Sequence, residues 1–174
     1  MANDDSHGVR IFILMLRQDD PHRCTAARLT KFGLARPLHR IRQIPRGSLV
    51  LNPMASLIIL PRDRNMSRNP KLVAIDCSWE KVKIEFGRQM PGLARRLPTL
   101  LAANPTNYAK QHKLSSAEAL AAASYILGFR EMATKLLSMF KWGHTFLTLN
   151  EELLKAYALV DSEKELSEIE SQFF

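Results

Sequence analysis

Two apolar runs constrain this chain more than any other feature: residues 9–16 (VRIFILML) and residues 72–75, each followed by a short polar segment that opens a helix. The first run is almost unbroken, as in a strand buried on both faces, the habit of a parallel sheet. Asp19-Asp20-Pro21 turns the chain after it, and residues 24–32 read as a short helix closed by Gly33. The second run passes through Ile75-Asp76-Cys77-Ser78-Trp79 into a helix expected over residues 78–88. Strand, polar segment and helix in repetition imply an α/β fold, and in open sheets of that class ligands bind at the carboxyl ends of strands.

Between these runs the pattern is shorter. Residues 38–44 (LHRIRQI) alternate apolar with basic side chains, as a half-exposed strand does, and Pro45-Arg46-Gly47 turns the chain. Residues 48–51 form another apolar strand, stopped at Asn52-Pro53, and residues 57–60 read as a strand or an extended loop. Residues 97–102 look like the last strand. After Ser115 the character changes to Ala- and Leu-rich segments of helical period, over 116–127, 131–140, 145–159 and 162–173, broken at Gly128, Trp142-Gly143 and Asp161. The expected layout is a basic α/β lobe over 1–94 with a mostly parallel sheet. A last strand plus an all-helical lobe follow over 95–174, the two joined where Pro91 and Gly92 interrupt the pattern.

A chain of 174 residues with 46% apolar content has room for one domain or two small lobes with a real core. No apolar run reaches the ~18–20 residues of a membrane span. Residues 1–8 carry Asp4 and Asp5 and lack the basic and apolar regions of a signal peptide, so the expected compartment is the cytosol and no membrane partner is expected. Cys24 and Cys77 have no His at metal-ligand spacing, which argues for reduced, buried thiols and no metal site.

The net charge of +8 is unevenly placed: residues 1–94 hold 16 Lys and Arg against 8 Asp and Glu, while residues 95–174 hold 9 of each. The candidate polyanion-binding residues are Lys31, Arg36, Arg40, Arg42, Arg46, Arg62, Arg64 and Arg68. Arg forks onto phosphate oxygens, and with no helix-turn-helix or zinc module legible, RNA is the expected partner.

Two segments carry chemistry. In Ile75-Asp76-Cys77-Ser78-Trp79 a carboxylate at a strand end precedes an aromatic that can wall a flat ligand; the plainer alternative is a helix cap with Trp79 as core filler. In residues 97–116, Pro98 and Pro105 stiffen the loop, Asn104 and Asn107 suit turns, and Ser115 or Ser116 caps a long helix whose unpaired N–H groups favour a carboxylate or phosphate. Cys24-Thr25 follows the first strand in the same way, so three strand-end segments can converge on one crevice. The scattered His7, His22, His39 and His144 read as surface or core residues, Trp142-Gly143 as a helix–helix corner, and the acidic tail over 161–170 as a solvated face.

These segments, with Asp20-Pro21, Leu51-Asn52-Pro53, Leu97-Pro98, Asn107-Tyr108, Glu118-Ala119, Phe140-Lys141-Trp142-Gly143, Phe146, Asn150 and Tyr157, resemble in order and spacing the archaeal and eukaryotic small-subunit rRNA aminocarboxypropyltransferases. The resemblance implies a SPOUT-like fold with a deep trefoil knot. It also implies S-adenosylmethionine (SAM) as cofactor and transfer of its 3-amino-3-carboxypropyl group to a hypermodified pseudouridine of small-subunit rRNA or a precursor particle. Carried over residue by residue, it puts Thr25 and the N–H of Ser116 on the SAM carboxylate, and the carbonyl of Ile75 on the ribose hydroxyls. Leu51 and Pro53 pack on adenine, Leu97 reaches it through its N–H, and Leu114 and Ala119 close the other side. Trp79 walls the sulfonium methyl, and His112, where the family often has Tyr, contributes a main-chain carbonyl. Ala26 stands where the family usually has Gly. Asp76, the one acid beside this pocket, is the candidate general base or orienter. A monomer is expected. Two other readings stay open at this point: a methyltransferase of the same class, and a non-catalytic RNA-binding assembly factor.

Overall fold

The computed structural model describes residues 8–16, 24–76 and 90–174. The helix expected over 78–88, the Asp19-Asp20-Pro21 turn, His7, His22, Cys77 and Trp79 lie outside the described residues. Five strands form one sheet: β1 (Arg10–Met15), β2 (Arg36–Leu38), β3 (Leu49–Leu51), β4 (Lys71–Asp76) and β5 (Leu93–Arg95). The order is β2-β1-β4-β3-β5, and every pairing is parallel. β1 and β4 pair along their full length, from Arg10 opposite Lys71 to Met15 opposite Asp76.

Alternation of side chains along these central strands divides the core. Ile11, Ile13, Leu72 and Ala74 join the larger apolar cluster with the helices, while Phe12, Leu14, Val73 and Ile75 join a second cluster with Leu38 and Ile44. Burial on both sides is why both strands read as continuous apolar runs.

The described α-helices are α1 (Thr25–Lys31), α2 (Ser116–Ile126), α3 (Arg130–Leu137), α4 (Gly143–Leu149), α5 (Glu151–Tyr157) and α6 (Glu163–Phe173). α2 is buried almost all round, with Ala117, Leu120 through Ala123 and Ile126 inaccessible or nearly so, and it packs between β4 and α3. Its small side chains permit that close approach. It ends at Gly128, whose φ of +86° suits glycine and lets Phe129 N–H bond back to Ser124 O at 2.8 Å.

The expected α/β class with a parallel sheet is what the chain forms; the SPOUT-like trefoil knot is corrected. The described elements build a five-stranded, all-parallel sheet with helices, and among the described residues nothing shows a knot. Threading leaves no mark in residue patterns, and the knot came from the resemblance alone. One apolar cluster, from Val9 to Leu166, takes in side chains of both the sheet and the C-terminal helices.

Several element boundaries also move. Residues 38–44 are not a strand: β2 stops at Leu38, and a 3-10 turn follows at Ile41–Gln43. The cause is Gln43, whose side-chain oxygen accepts from His39 N–H at 2.8 Å and Arg40 N–H at 2.9 Å and turns the chain. The last strand lies at Leu93–Arg95 rather than over 97–102, where Leu101 makes only an isolated bridge to Gln111. Arg95 anchors it by a buried forked pair to Asp63, Nε–Oδ2 3.1 Å and an Nη2–Oδ1 bond of 3.2 Å. The helix expected over 145–159 breaks at Asn150. Its amide accepts from Leu101 N–H at 2.8 Å and donates to Leu101 O at 2.9 Å, replacing a backbone partner for that loop.

Trp142-Gly143 does form a corner. A Cβ on Gly143 would overlap the carbonyl oxygen of Leu137, so α3 and α4 meet there only around glycine. Gly143→Ala is expected to lower stability by about 1–3 kcal/mol, read as a lower urea midpoint with unchanged slope.

Candidate SAM site at the carboxyl edge of the sheet

From β1 the chain leads to β2 on one side, while from β4 it leads to β5 on the other. The carboxyl ends of these adjacent strands therefore flank a topological switch point, where open α/β sheets form a crevice. A cavity of about 880 Å³ lies there. It is lined by Thr25, Leu51, Pro53, Ile75, Asp76, Leu97, His112, Leu114, Ser116 and Ala119, which are all the sequence-derived cofactor and catalytic candidates within the described residues. The remaining candidate, Trp79, lies outside them. Four of the five strand ends supply lining residues: Cys24 and Thr25 after β1, Pro53 after β3, Asp76 at the end of β4, and Leu97 after β5.

At the centre, Cys24 Sγ donates to Asp76 Oδ2 at 3.2 Å. Cys24 is also the cap of α1, its sulfur accepting from Ala27 N–H at 3.4 Å. Burial, reinforced by the Asp76 carboxylate, pushes the Cys24 thiol up to about 11 from an ordinary 9.0. The thiol is thus held protonated, as a donor. The unfolded chain loses this proton at lower pH than the folded one, so the Cys24 contribution favours folding less as pH rises from about 9 to about 11. In the native protein at pH 8, alkylation of Cys24 is expected to be slow, and in urea fast; peptide mapping after iodoacetamide treatment checks this.

The opposite wall depends on Glu118, a wholly buried carboxylate three residues after the Ser115 cap of α2. Its Oε1 accepts from Ala103 N–H at 2.6 Å and Asn104 N–H at 3.0 Å. Its Oε2 accepts from Asn104 Nδ2 at 2.7 Å and Ser115 N–H at 2.7 Å. One carboxylate thus ties the loop carrying Asn104 to the start of α2. The Ser116 N–H finds no partner among the described residues, and Thr25 Oγ1 sits beside it, 3.4 Å from Ala117 N. An unpaired helix-start N–H beside a hydroxyl suits a carboxylate.

Ala26 is fully buried in the apolar cluster and does not line the cavity, so its methyl leaves the ligand's approach unchanged. His112 has a left-handed backbone, φ 58°, and its N–H bonds Leu100 O at 3.3 Å. Sequence reasoning missed three contributors. In the sequence Glu118 stands only as part of a motif, Cys24 as a small hydrophobe, and Trp142, which lines the cavity, as a corner. The acidic tail is likewise more than a solvated face: Glu170 Oε1 accepts from Thr99 N–H at 2.6 Å and Glu163 Oε1 from Ile58 N–H at 3.2 Å.

The basic candidates Lys31, Arg36, Arg40, Arg42, Arg46, Arg62, Arg64 and Arg68 are all exposed. Arg64 also lies over the Phe129 ring, 4.5 Å from its centroid, so part of its role is packing. No helix among the described residues is long and apolar enough to cross a membrane.

Comparison with known proteins gives this geometry its context. Residues 49–174 match the family profile described as ribosome biogenesis protein, C-terminal. The chain is 40% identical to a 16S rRNA aminocarboxypropyltransferase of Methanosarcina mazei over 99% of both chains. The chain belongs to the 16S rRNA aminocarboxypropyltransferase family. Another member, from Methanopyrus kandleri, is 43% identical over 94% of this chain and 97% of its own. The solved structure of the SAM-dependent rRNA:acp-transferase from Vulcanisaeta distributa superposes with a TM-score of 0.85 at 40% identity, covering 91% of this chain and 88% of that one. The family fold is thus the parallel α/β arrangement seen here. A further profile, described as a possible Fer4-like domain in RNase L inhibitor, matches residues 9–43. A four-iron cluster takes four thiolates, and this stretch contains only Cys24.

Proposed function

We propose that the chain binds SAM in the cavity at the carboxyl edge of the sheet and transfers its 3-amino-3-carboxypropyl group to a hypermodified pseudouridine of small-subunit rRNA. The observation that carries this is the meeting of Thr25, Asp76 and Ser116 in one cavity, in a chain belonging to the aminocarboxypropyltransferase family. The residues fit the cofactor. Leu51, Pro53, Leu97, Leu114 and Ala119 offer apolar walls to an adenine, while Thr25 Oγ1 and the Ser116 N–H suit an amino-acid carboxylate.

When bound, SAM supplies a sulfonium with three activated carbons, and the protein selects among them by position. Thr25 and Ser116 would hold the aminocarboxypropyl end beside Asp76, and the family resemblance assigns the shielding of the methyl to Trp79, which lies outside the described residues. Asp76, oriented by the Cys24 thiol, takes the proton that the pseudouridine ring nitrogen gives up. The exposed Lys31, Arg36, Arg40, Arg42, Arg46, Arg62, Arg64 and Arg68 hold phosphates around an unstacked base. His112 and Ile75 contribute main-chain carbonyls. The protein acts as a monomer in the cytoplasm, on rRNA or a precursor particle, with residues 1–94 supplying most of the RNA contact.

Nucleoside mass spectrometry of small-subunit rRNA after incubation with protein and SAM tests the reading. Gain of one aminocarboxypropyl group supports it. Gain of a methyl group assigns methyl transfer instead. SAM binding with neither product, on free rRNA and on precursor particles, leaves a non-catalytic assembly factor.

A further inference from the structure

An aromatic and cationic series runs outward from the cavity wall. Trp142 lines the cavity, and Phe140 stacks on it with ring centroids 5.0 Å apart and planes 28° from parallel. The guanidinium of Arg28 lies 5.6 Å from the Phe140 centroid and 5.9 Å from that of Phe32. Phe32 itself is 57% exposed just past the end of α1. Arg28, Lys31 and Lys141 are exposed along the same path, and residues 24–62 contain no Asp or Glu. No carboxylate among the described residues pairs with Arg28.

We propose that Trp142 and Phe32, at the two ends of a series held together by Phe140 and Arg28, form a stacking surface for unpaired RNA bases at the rim of the cavity, a surface that names the RNA-facing part of the transferase reading and rests on it. Two features of the series point to nucleic acid. Aromatic faces and guanidinium planes accept any base by stacking, which is how single strands are bound. The exposed cations suit the phosphates that connect such bases, whereas an apolar protein partner gains nothing from them. Phe32 also buries too little to be explained by packing, and its position beside Arg28 leaves a cation–π pair open to solvent. Because Trp142 borders the same cavity as Thr25 and Ser116, a base stacked at this rim sits at the edge of the cavity that holds the aminocarboxypropyl end.

Fluorescence anisotropy of a labelled single-stranded oligonucleotide from small-subunit rRNA, compared with an abasic oligonucleotide of equal length, tests the surface in the full chain. Phe32→Ser and Arg28→Gln are each expected to weaken binding of the normal strand several-fold, with SAM affinity and melting temperature unchanged. Trp142→Leu is expected to weaken it about tenfold or more, and Trp142→Phe to restore most of the loss. Phe32→Ser is expected to leave the salt dependence unaltered, since it removes no phosphate contact. Unchanged affinity in folded Phe32→Ser and Trp142→Leu overturns the proposal, as does an equal loss for the abasic strand, or a wild-type chain that binds neither. RNA bound through this rim without group transfer overturns the transferase reading and leaves the surface standing.

Discussion

Asp76→Asn is expected to lower aminocarboxypropyl transfer by about 10²–10⁴-fold while leaving SAM affinity close to that of the unaltered protein. The substitution keeps the size of the side chain at the end of β4. It also keeps an oxygen able to accept from the Cys24 thiol, now at 3.2 Å, so the local geometry survives. What it removes is the proton acceptor. The incoming ring nitrogen must lose a proton as it gains carbon, and Asp76 is the carboxylate in the described lining of the cavity. Steady-state kinetics with saturating SAM, beside calorimetric SAM binding, separates the roles. A fall in turnover with SAM affinity retained assigns proton transfer, and a loss confined to SAM affinity assigns positioning. Unchanged values in both remove Asp76 from the mechanism.

Glu118→Ala has the largest expected effect on stability, about 3 kcal/mol, because it removes the acceptor of four N–H bonds at once, three of them buried. Solvent cannot replace the lost acceptor, since Glu118 is fully inaccessible. The same change frees the loop at Asn104 from the start of α2, and both line the cavity, so SAM affinity falls with stability. Glu118→Gln is expected to fall between the two. Its one remaining oxygen serves the donors of one side, while its amide meets the donors of the other. Urea unfolding of both variants measures the first effect and calorimetry the second. Equal stability of Glu118→Ala and the unaltered chain would show that the carboxylate is not the tie between loop and helix.

How much of this was legible follows from which contacts are local. β1 and β4 announced themselves because burial on both faces demands unbroken apolar runs. The start of α2 was legible through Ser115, whose cap is closed within three residues. The cavity lining was legible at Thr25, Asp76 and Ser116 because the ends of parallel strands and the starts of helices are where unpaired polar groups collect. What escaped depends on distant partners. β2 and β5 are three-residue strands with polar or proline residues at sheet edges, where pairing writes no periodicity. Asn150 breaks a helix for the sake of a loop 49 positions away, and Cys24 meets Asp76 across 52. Glu118 stands in the sequence only as part of a motif, because three of its four bonds go to donors that lie 14 or 15 positions away. The knot was never written in any residue pattern, and the described residues show a five-stranded parallel sheet with no sign of one.

The central claim, transfer of the aminocarboxypropyl group rather than the methyl, is tested most directly with SAM labelled in parallel at the carboxyl carbon and at the methyl. Each is incubated with the protein and unmodified small-subunit rRNA or precursor particles. Carboxyl label in the RNA, with methyl label recovered in methylthioadenosine, is the predicted result. Methyl label in the RNA, with the carboxyl label left in the cofactor product, would contradict it.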